Sequence, residues 1–417
     1  MTTLIFVVVV AALAYRATTP DTRRQALKTA AAFYIRWRDY GARELVPFEE
    51  ALHARMSVIL IAPAIAVVEI ACFFLLNGAT GISDGPRTTN GEWWRLLTAM
   101  CAHRSLLLLI VNAAAIVQLG RVLERLAGRF VFVAVFVVAG LFAELTTLWW
   151  HPLAPWVGAS GAIYGLYGLL VVSFVAGRLR RSEVSIPVVA LTRAAPLAAA
   201  FVLLNGLDHF AVASSDAVGF FAGAGIALAT ASGVSTQLPQ ARHVATALGA
   251  ALIVAVGIAV PLRGIVDVAP EVGRLAELER QTRQSYETAY ARYRKAETGV
   301  QAVVQVIDES ILPALQSVDE RLATLRHVPP EDAPRLAGAR RYLQLRIDSW
   351  TLIAQTLGGE TRTAATAGVA DAAVDAGYRT RAQASHRAAA VARGKAEAAE
   401  REALEALHAV VDRADAR

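Results

Sequence analysis

Charge is scarce in this chain. Lys, Arg, Asp and Glu make up 18% of its 417 residues, against about 25% in an ordinary soluble domain, while 55% of the residues are apolar. That balance argues against a water-soluble enzyme and for an integral membrane protein. Cysteine is scarcer still. Cys72 and Cys101 are the only two, both in or at the edge of apolar segments, which argues against a disulfide framework and against a zinc site. No metal or cofactor is expected. The formal net charge of +6 comes largely from arginines at the ends of apolar runs, Arg121/Arg125/Arg129 and Arg178/Arg180/Arg181, with no aromatic residues interleaved. This is the cytoplasmic-loop excess of a membrane protein, and no nucleic-acid partner is expected. Neither an inverted repeat nor a pair of broken helices is visible, which speaks against a channel or transporter.

What the chain has instead is a series of apolar runs. Spanning candidates fall at 57–77, 103–120, 130–150, 159–177, 188–207, 215–234 and 244–262, each near the ~20 residues a bilayer requires. Loops 121–129 and 178–187 are basic and therefore inside, and Arg242 marks a third inner loop. Loops 78–100, 151–158 and 208–214 then face outward, and everything after Arg263 lies outside the cytoplasm. Residues 3–15 form a shorter apolar segment. They read as a marginal first helix or anchor, because Arg16, Arg23, Arg24 and Lys28 follow and no basic region precedes. Between Asp21 and Tyr40, Leu27, Ala31, Tyr34 and Ile35 alternate with Arg36, Trp37 and Arg38. That pattern fits either a basic amphipathic helix on the inner leaflet or a soluble linker helix. The lipid bilayer is thus a partner. Without a Ser-rich, acid-poor leader, a bacterial plasma membrane fits better than a mitochondrial inner membrane.

The tail is rich in helical pattern and poor in chemistry. From Val272, the positions Leu275, Leu278, Tyr286, Tyr290, Tyr293, Val300, Val303, Ile307 and Ile311 recur at helical steps. Pro313 should kink this helix. A turn at His327-Val328-Pro329-Pro330, a second helix from about Asp332 to Leu357, a break at Gly358-Gly359 and an Ala-rich third helix complete the expectation. Homo-oligomerisation or partner binding is the natural role for such helices.

Chemistry concentrates at Gly158-Ala159-Ser160-Gly161-Ala162-Ile163-Tyr164-Gly165, the outer start of one span. Small residues in a membrane helix serve close packing. A Ser at a helix N-terminus flanked by glycines is also a place where a nucleophile and its oxyanion can be served by backbone N–H groups. Upstream stand Glu92-Trp93-Trp94-Arg95, Thr98, His103 and Asn112, then Gly120, Glu124 and Gly128. Downstream, Gly219 and Gly223 form a small-x3-small face. This ordered set resembles the rhomboid family of intramembrane serine proteases over about residues 55–235. The family's E-x-W-R, H-x4-H-x3-N, G-x3-E-x3-G and G-x-S-G-x-x-Y-G elements fall on Glu92/Trp94/Arg95, His103/Asn112, Gly120/Glu124/Gly128 and Gly158/Ser160/Gly161/Tyr164/Gly165.

The resemblance implies an all-α polytopic membrane protein. A six-helix core (57–235) would follow an N-terminal region (1–56) holding the short apolar segment and the basic amphipathic stretch. An additional transmembrane helix (236–263) and an extracytoplasmic, coiled-coil-like helical domain (264–417) would complete the chain. It also implies Ser160 as nucleophile, Asn112 as oxyanion donor supported by His103, and Gly158, Gly161 and Tyr164 on the substrate side. Substrates or clients would be transmembrane helices entering from the side.

Two positions depart from the family pattern. Leu108 stands where a second His belongs and cannot donate to an oxyanion. Losing one such donor costs ~10²–10³ in rate. Asp216 stands where the family's dyad His belongs. A solvated carboxylate is a weak base and a poor acid for the leaving amine, whereas carboxyl groups tuned by desolvation do acid/base work. His209, seven residues before Asp216, and His151, in the loop before Ser160, are alternative bases. Two readings therefore stand: an intramembrane serine endopeptidase, and an inactive relative that binds transmembrane helices for trafficking, quality control or scaffolding. Glu69 and Glu144, inside spans, read as helix-helix hydrogen bonding or snorkelling.

Overall fold

The computed structural model describes residues 20–75, 84–179, 184–208, 213–230, 241–369, 390–391, 394–395 and 397–408. The apolar segment 3–15 and His209 lie outside them. The helices in chain order are α1 (Pro20–Arg55), α2 (Ile61–Leu75), α3 (Gly85–Thr89), α4 (Arg95–Cys101), α5 (Leu106–Ala127), α6 (Arg129–Trp150), α7 (Ser160–Leu179), α8 (Val188–Asp208), α9 (Ala213–Thr230), α10 (Ala241–Ala259), α11 (Ala269–Arg294), α12 (Val300–Val306), α13 (Leu312–Thr324) and α14 (Ala333–Val369). They divide into two compact units, one of Met1–Asp84 with Glu92–Pro261, the other of Gly85–Gly91 with Leu262–Arg417.

Among the described residues five helices are long and apolar enough to cross a bilayer: Leu106–Ala127, Arg129–Trp150, Ser160–Leu179, Val188–Gly206 and Arg242–Leu262. The apolar helix α2 is shorter. α6 runs through the middle, with Phe132, Val135, Leu145 and Leu148 buried, whereas α8 and α10 expose Val202, Leu203, Leu252, Ile253, Val254 and Val256. A surface this apolar is matched to lipid and not to water. The chain is a multi-pass integral membrane protein.

Local chemistry sets the helix ends. Ser105 accepts from the Leu108 N–H at 3.3 Å and starts α5. Gly128, at φ +89°, ends α5 and begins α6 with no intervening loop, a conformation that favours Gly. The stretch 121–129, read above as a loop, is therefore helical to Ala127. Arg121 and Arg125 project from the last turns of α5, where long cationic side chains reach the headgroup level. Glu124 on the same turns is buried and accepts from the N–H groups of Leu60, Ile61 and Ala62 at 2.9 to 3.1 Å. A carboxylate from another helix thus satisfies the first turn of α2 and favours its dipole. Gly120 sits one turn away, where a Cβ would lie 2.1 Å from Ala62 Cβ.

The N-terminal amphipathic helix extends beyond the expected stretch. α1 continues to Arg55, and its second half buries Leu45, Phe48 and Leu52. Phe48 and Leu52 join the same apolar core as α5, α6 and α7.

The second unit also departs from expectation in places. The helix expected from Val272 stops at Arg294, and Ala296 adopts φ +58° before α12 begins. The kink assigned to Pro313 is a π-helical turn at Ile307–Ile311, immediately before the proline in the first turn of α13. Gly358 and Gly359 do not break the second helix, since α14 runs through both to Val369. Each Gly costs only about 1 kcal/mol against Ala, and Trp350 and Ala354, buried in the turns before them, anchor the helix. Near the C-terminus, Ala403 and Leu407 are buried in this unit's core. At its centre the fully buried Arg346 donates to Glu279 at 2.7 and 2.8 Å and lies 4.6 Å over the Trp350 ring, and Tyr342 donates to the same carboxylate at 2.7 Å. Burial and the Glu279 carboxylate hold the Tyr342 hydroxyl well above its usual titration range.

Candidate active site

The site begins with glycines. A Cβ on Gly219 would meet Gly161 O at 2.3 Å, one on Gly223 would meet Gly165 O at 2.1 Å, and one on Gly168 would meet Phe220 O at 2.3 Å. α7 and α9 therefore touch backbone to backbone, the closest approach two helices can make. On the other side of α7, a Cβ on Gly161 would fall 2.2 Å from Ala143 Cβ of α6. The small residues clamp α7 between two neighbours and fix its first turn.

Ser160 opens that first turn, and Asp216 lies three residues before Gly219 on the facing helix. Ser160 Oγ donates to Asp216 Oδ1 at 2.8 Å. Beside the pair is a cavity of about 30 Å³ lined by Glu144, Thr147, Trp156, Gly158, Gly161, Ser215 and Asp216 among others, room for one water. Gly158 reaches the helix through φ +135° and donates its N–H to Ala99 O at 2.9 Å. The N–H groups of Ser160, Gly161 and Ala162 precede the first bond of the helix, from Ile163 N to Ala159 O at 3.0 Å, and so have no partner within it.

One more acid and a tryptophan complete the surroundings. Trp156 donates its indole N–H to Glu144, which is buried on the cavity wall. The sequence reading gave Glu144 a part in helix-helix hydrogen bonding or snorkelling. An acid inside a span was the available signal, but nothing local tied it to Ser160.

His103 and Asn112 form a second polar cluster and do not line the Ser160 cavity. Asn112 Nδ2 donates to His103 Nε2 at 3.1 Å, and Asn112 Oδ1 accepts from Asn205 Nδ2 at 3.2 Å. His103 Nδ1 lies 3.4 Å from Cys101 O, and its Nε2 lies 4.0 Å from the buried carboxylate of Glu69. Asn205, which sequence reading missed, also donates to Phe201 O at 2.9 Å. The Phe201 ring lies 5.1 Å from that of Tyr164 at a tilt of 58°, so a chain of contacts runs from this cluster to the helix that carries Ser160. Leu108 is buried at the start of α5. Glu92 and Arg95 form an ion pair, with the guanidinium 4.9 Å over the Trp94 ring. His151 caps the end of α6, its N–H donating to Thr147 O at 2.8 Å.

A hydroxyl at a helix N-terminus, hydrogen bonded to a buried carboxylate and reached across a glycine seam, is a nucleophile-base geometry. Residues 90–236 match the rhomboid domain. The match covers about a third of the chain and contains Ser160, Asp216, Asn112 and His103. It begins after α2, later than the resemblance read from motifs. Over this region the chain is homologous to rhomboid proteases. It is 30% identical over 188 residues to rhomboid protease GluP of Bacillus subtilis, covering 42% of this chain and 36% of that protein. It is 35% identical over 126 residues to YdcA, a candidate rhomboid protease of the same species, covering 30% of this chain and 60% of that one. To rhomboid protease AarA of Providencia stuartii it is 28% identical over 100 residues, covering 20% of this chain and 36% of AarA. The chain thus spans between about a third and three fifths of these relatives' lengths. The rhomboid region is a membrane domain homologous to proteases, and Leu262–Arg417, the bulk of the second unit, falls outside the domain match.

Proposed function

We propose that this chain is a rhomboid-type intramembrane serine endopeptidase in which Ser160 is the nucleophile and Asp216 the base. One observation carries the reading: the 2.8 Å hydrogen bond from Ser160 Oγ to Asp216 Oδ1. As Oγ attacks the scissile carbonyl carbon of an unwound transmembrane segment, its proton passes to Asp216. The tetrahedral oxyanion is met by the N–H groups that open α7; Asn112, bonded to His103 and Asn205 outside the Ser160 cavity, supplies its remaining amide hydrogen only to a substrate carbonyl that extends beyond that cavity. Collapse breaks the C–N bond and Asp216 returns the proton to the leaving amine; a water then attacks the acyl carbonyl as its proton passes to Asp216, the C–Oγ bond breaks, and the proton returns to Ser160 Oγ. Gly158, where nothing lies within 4 Å of an added Cβ, leaves room for the substrate backbone, with Tyr164 one turn into the helix beside it, while Gly161 fixes the helix start against Ala143. His151, which does not line the Ser160 cavity, serves less well as a base than a carboxylate already bonded to the nucleophile.

A second reading has a specific feature behind it. Asp216 replaces the family's His and Leu108 replaces an oxyanion-side His, so the same scaffold could hold transmembrane clients without cutting them. A serine-reactive fluorophosphonate probe separates the two. Labelling of the detergent-purified protein that is lost in Ser160→Ala supports the protease. Equal background labelling of both proteins supports the helix-binding relative.

We also propose that Ser160 and the second unit lie on the extracytoplasmic side. Supporting this are the basic inner ends of α5 and α7 and the folding of Gly85–Gly91, from the segment after α2, into one unit with Leu262 onward. Ile265 N donates to Thr89 Oγ1 at 3.1 Å and Asn90 Nδ2 to Ile265 O at 3.0 Å. Segments so joined share one side of a bilayer. The second unit is best suited to oligomerisation or partner binding. A bacterial plasma membrane, where the relatives named above from Bacillus and Providencia belong by species, fits the composition.

A further inference from the structure

A second cavity, of about 460 Å³, opens between α1, α5 and α8 and shares no lining residue with the Ser160 cavity. Its volume falls in the range of small-molecule sites. The floor is apolar, formed by side chains such as Phe48, Leu52, Leu119 and Leu170. The polar lining is Glu49, His53, Gln118, Arg121, Arg125 and Arg193, three guanidinium groups against one carboxylate. Arg121 and Arg125 lie in the last two turns of α5, the level at which a span meets the headgroups. Two atoms here lack partners among the described residues: Arg125 Nε, a donor, and Gln118 Oε1, an acceptor, are both buried without a hydrogen bond. Unsatisfied buried groups of opposite character beside an apolar slot define a complementary ligand. It must carry an anion for the arginines, a hydroxyl donor for Gln118 and a hydrocarbon chain for the floor.

We propose that this cavity binds an anionic glycerophospholipid of the phosphatidylglycerol type. Its phosphate diester would sit among Arg121, Arg125 and Arg193, a headgroup hydroxyl would donate to Gln118 Oε1, and one acyl chain would lie along Phe48, Leu52 and Leu119. Basic pockets between transmembrane helices on the cytoplasmic side bind such headgroups by this chemistry. Because α1 forms one wall, the lipid would join the N-terminal helix to the membrane core, independently of any chemistry at Ser160.

The test uses the full-length protein in neutral detergent, with thermal unfolding followed after adding phosphatidylglycerol, phosphatidylcholine, glycerol phosphate or inorganic phosphate. Phosphatidylglycerol should raise Tm by several degrees and leave one bound lipid in native mass spectrometry, the other three having little effect. The shift should vanish in Arg121→Gln/Arg193→Gln, whose side chains are exposed and whose loss leaves the fold intact, and in Ala190→Trp, which fills the slot. If Ala190→Trp does not fold, the arginine variant alone decides. An equal shift with phosphatidylcholine, a full shift with either soluble phosphate, or an undiminished shift in the arginine variant would overturn the proposal.

Discussion

Asp216, which the family resemblance aligns with the base of rhomboid proteases, makes the contact that the proposed role demands, accepting the Ser160 hydroxyl at 2.8 Å. A carboxylate can do this and still fail as an acid toward the leaving amine, so proton transfer is the step to probe. Asp216→Asn keeps an acceptor for Ser160 and removes the proton site. If Asp216 is the base, cleavage of a transmembrane substrate should fall by about 10²–10⁴ while the variant stays folded. Unchanged cleavage would move the base elsewhere. Asp216→His should retain or raise cleavage, because an imidazole titrates near neutral pH and can both take and return the proton. A folded Asp216→His protein that cuts nothing would point to the oxyanion side, where Leu108 offers no donor.

At the scale of elements, the seam between α7 and α9 sets the distance between Ser160 and Asp216. A Cβ at Gly223 would meet Gly165 O at 2.1 Å and the Gly165 carbonyl carbon and Cα at 2.6 Å, and backbone cannot move aside as a side-chain tip can. Gly225, on the same helix, has nothing within 4 Å of a Cβ. Gly223→Ala should therefore cost about 1–3 kcal/mol through overpacking and cut fluorophosphonate labelling of Ser160, while Gly225→Ala should leave both nearly unchanged. A melting curve and a labelling time course on the two variants check this. The motif G-x-S-G had already marked this helix start, but only the facing glycines of α9 explain why the residues beside it must be so small.

For the whole molecule, the proposed placement of Gly85–Gly91 and Leu262 onward on the outer side predicts a labelling pattern. In a cysteine-free background, Glu287→Cys, on the exposed face of α11, should react with a membrane-impermeant maleimide on intact cells. Arg121→Cys should react only after the membrane is opened. The reverse pattern would invert the topology and place Ser160 on the cytoplasmic side. The apolar runs made most of the membrane helices legible, because a bilayer forces ~20 consecutive apolar residues into helix. Their ends were less legible. Loop 121–129 proved helical and Gly358-Gly359 proved continuous, since the cost of a charge or a glycine is local while the packing that offsets it is not.

The sequence by itself determined, from composition and periodicity, that this is a helical membrane protein, and from a motif that Ser160 opens a glycine-flanked helix. The expectation that Asp216 stands in the place of a base came from the resemblance to the rhomboid family. Only the tertiary structure decided that Ser160 and Asp216 are hydrogen bonded, that Glu144 with Trp156 walls the same cavity, and that Asn112 is held by His103 and Asn205 in a separate cluster. Those pairs are separated by up to 93 positions. A one-dimensional pattern reports what each helix offers, and the helix-helix contacts made possible by Gly161, Gly165, Gly219 and Gly223 decide which offers meet.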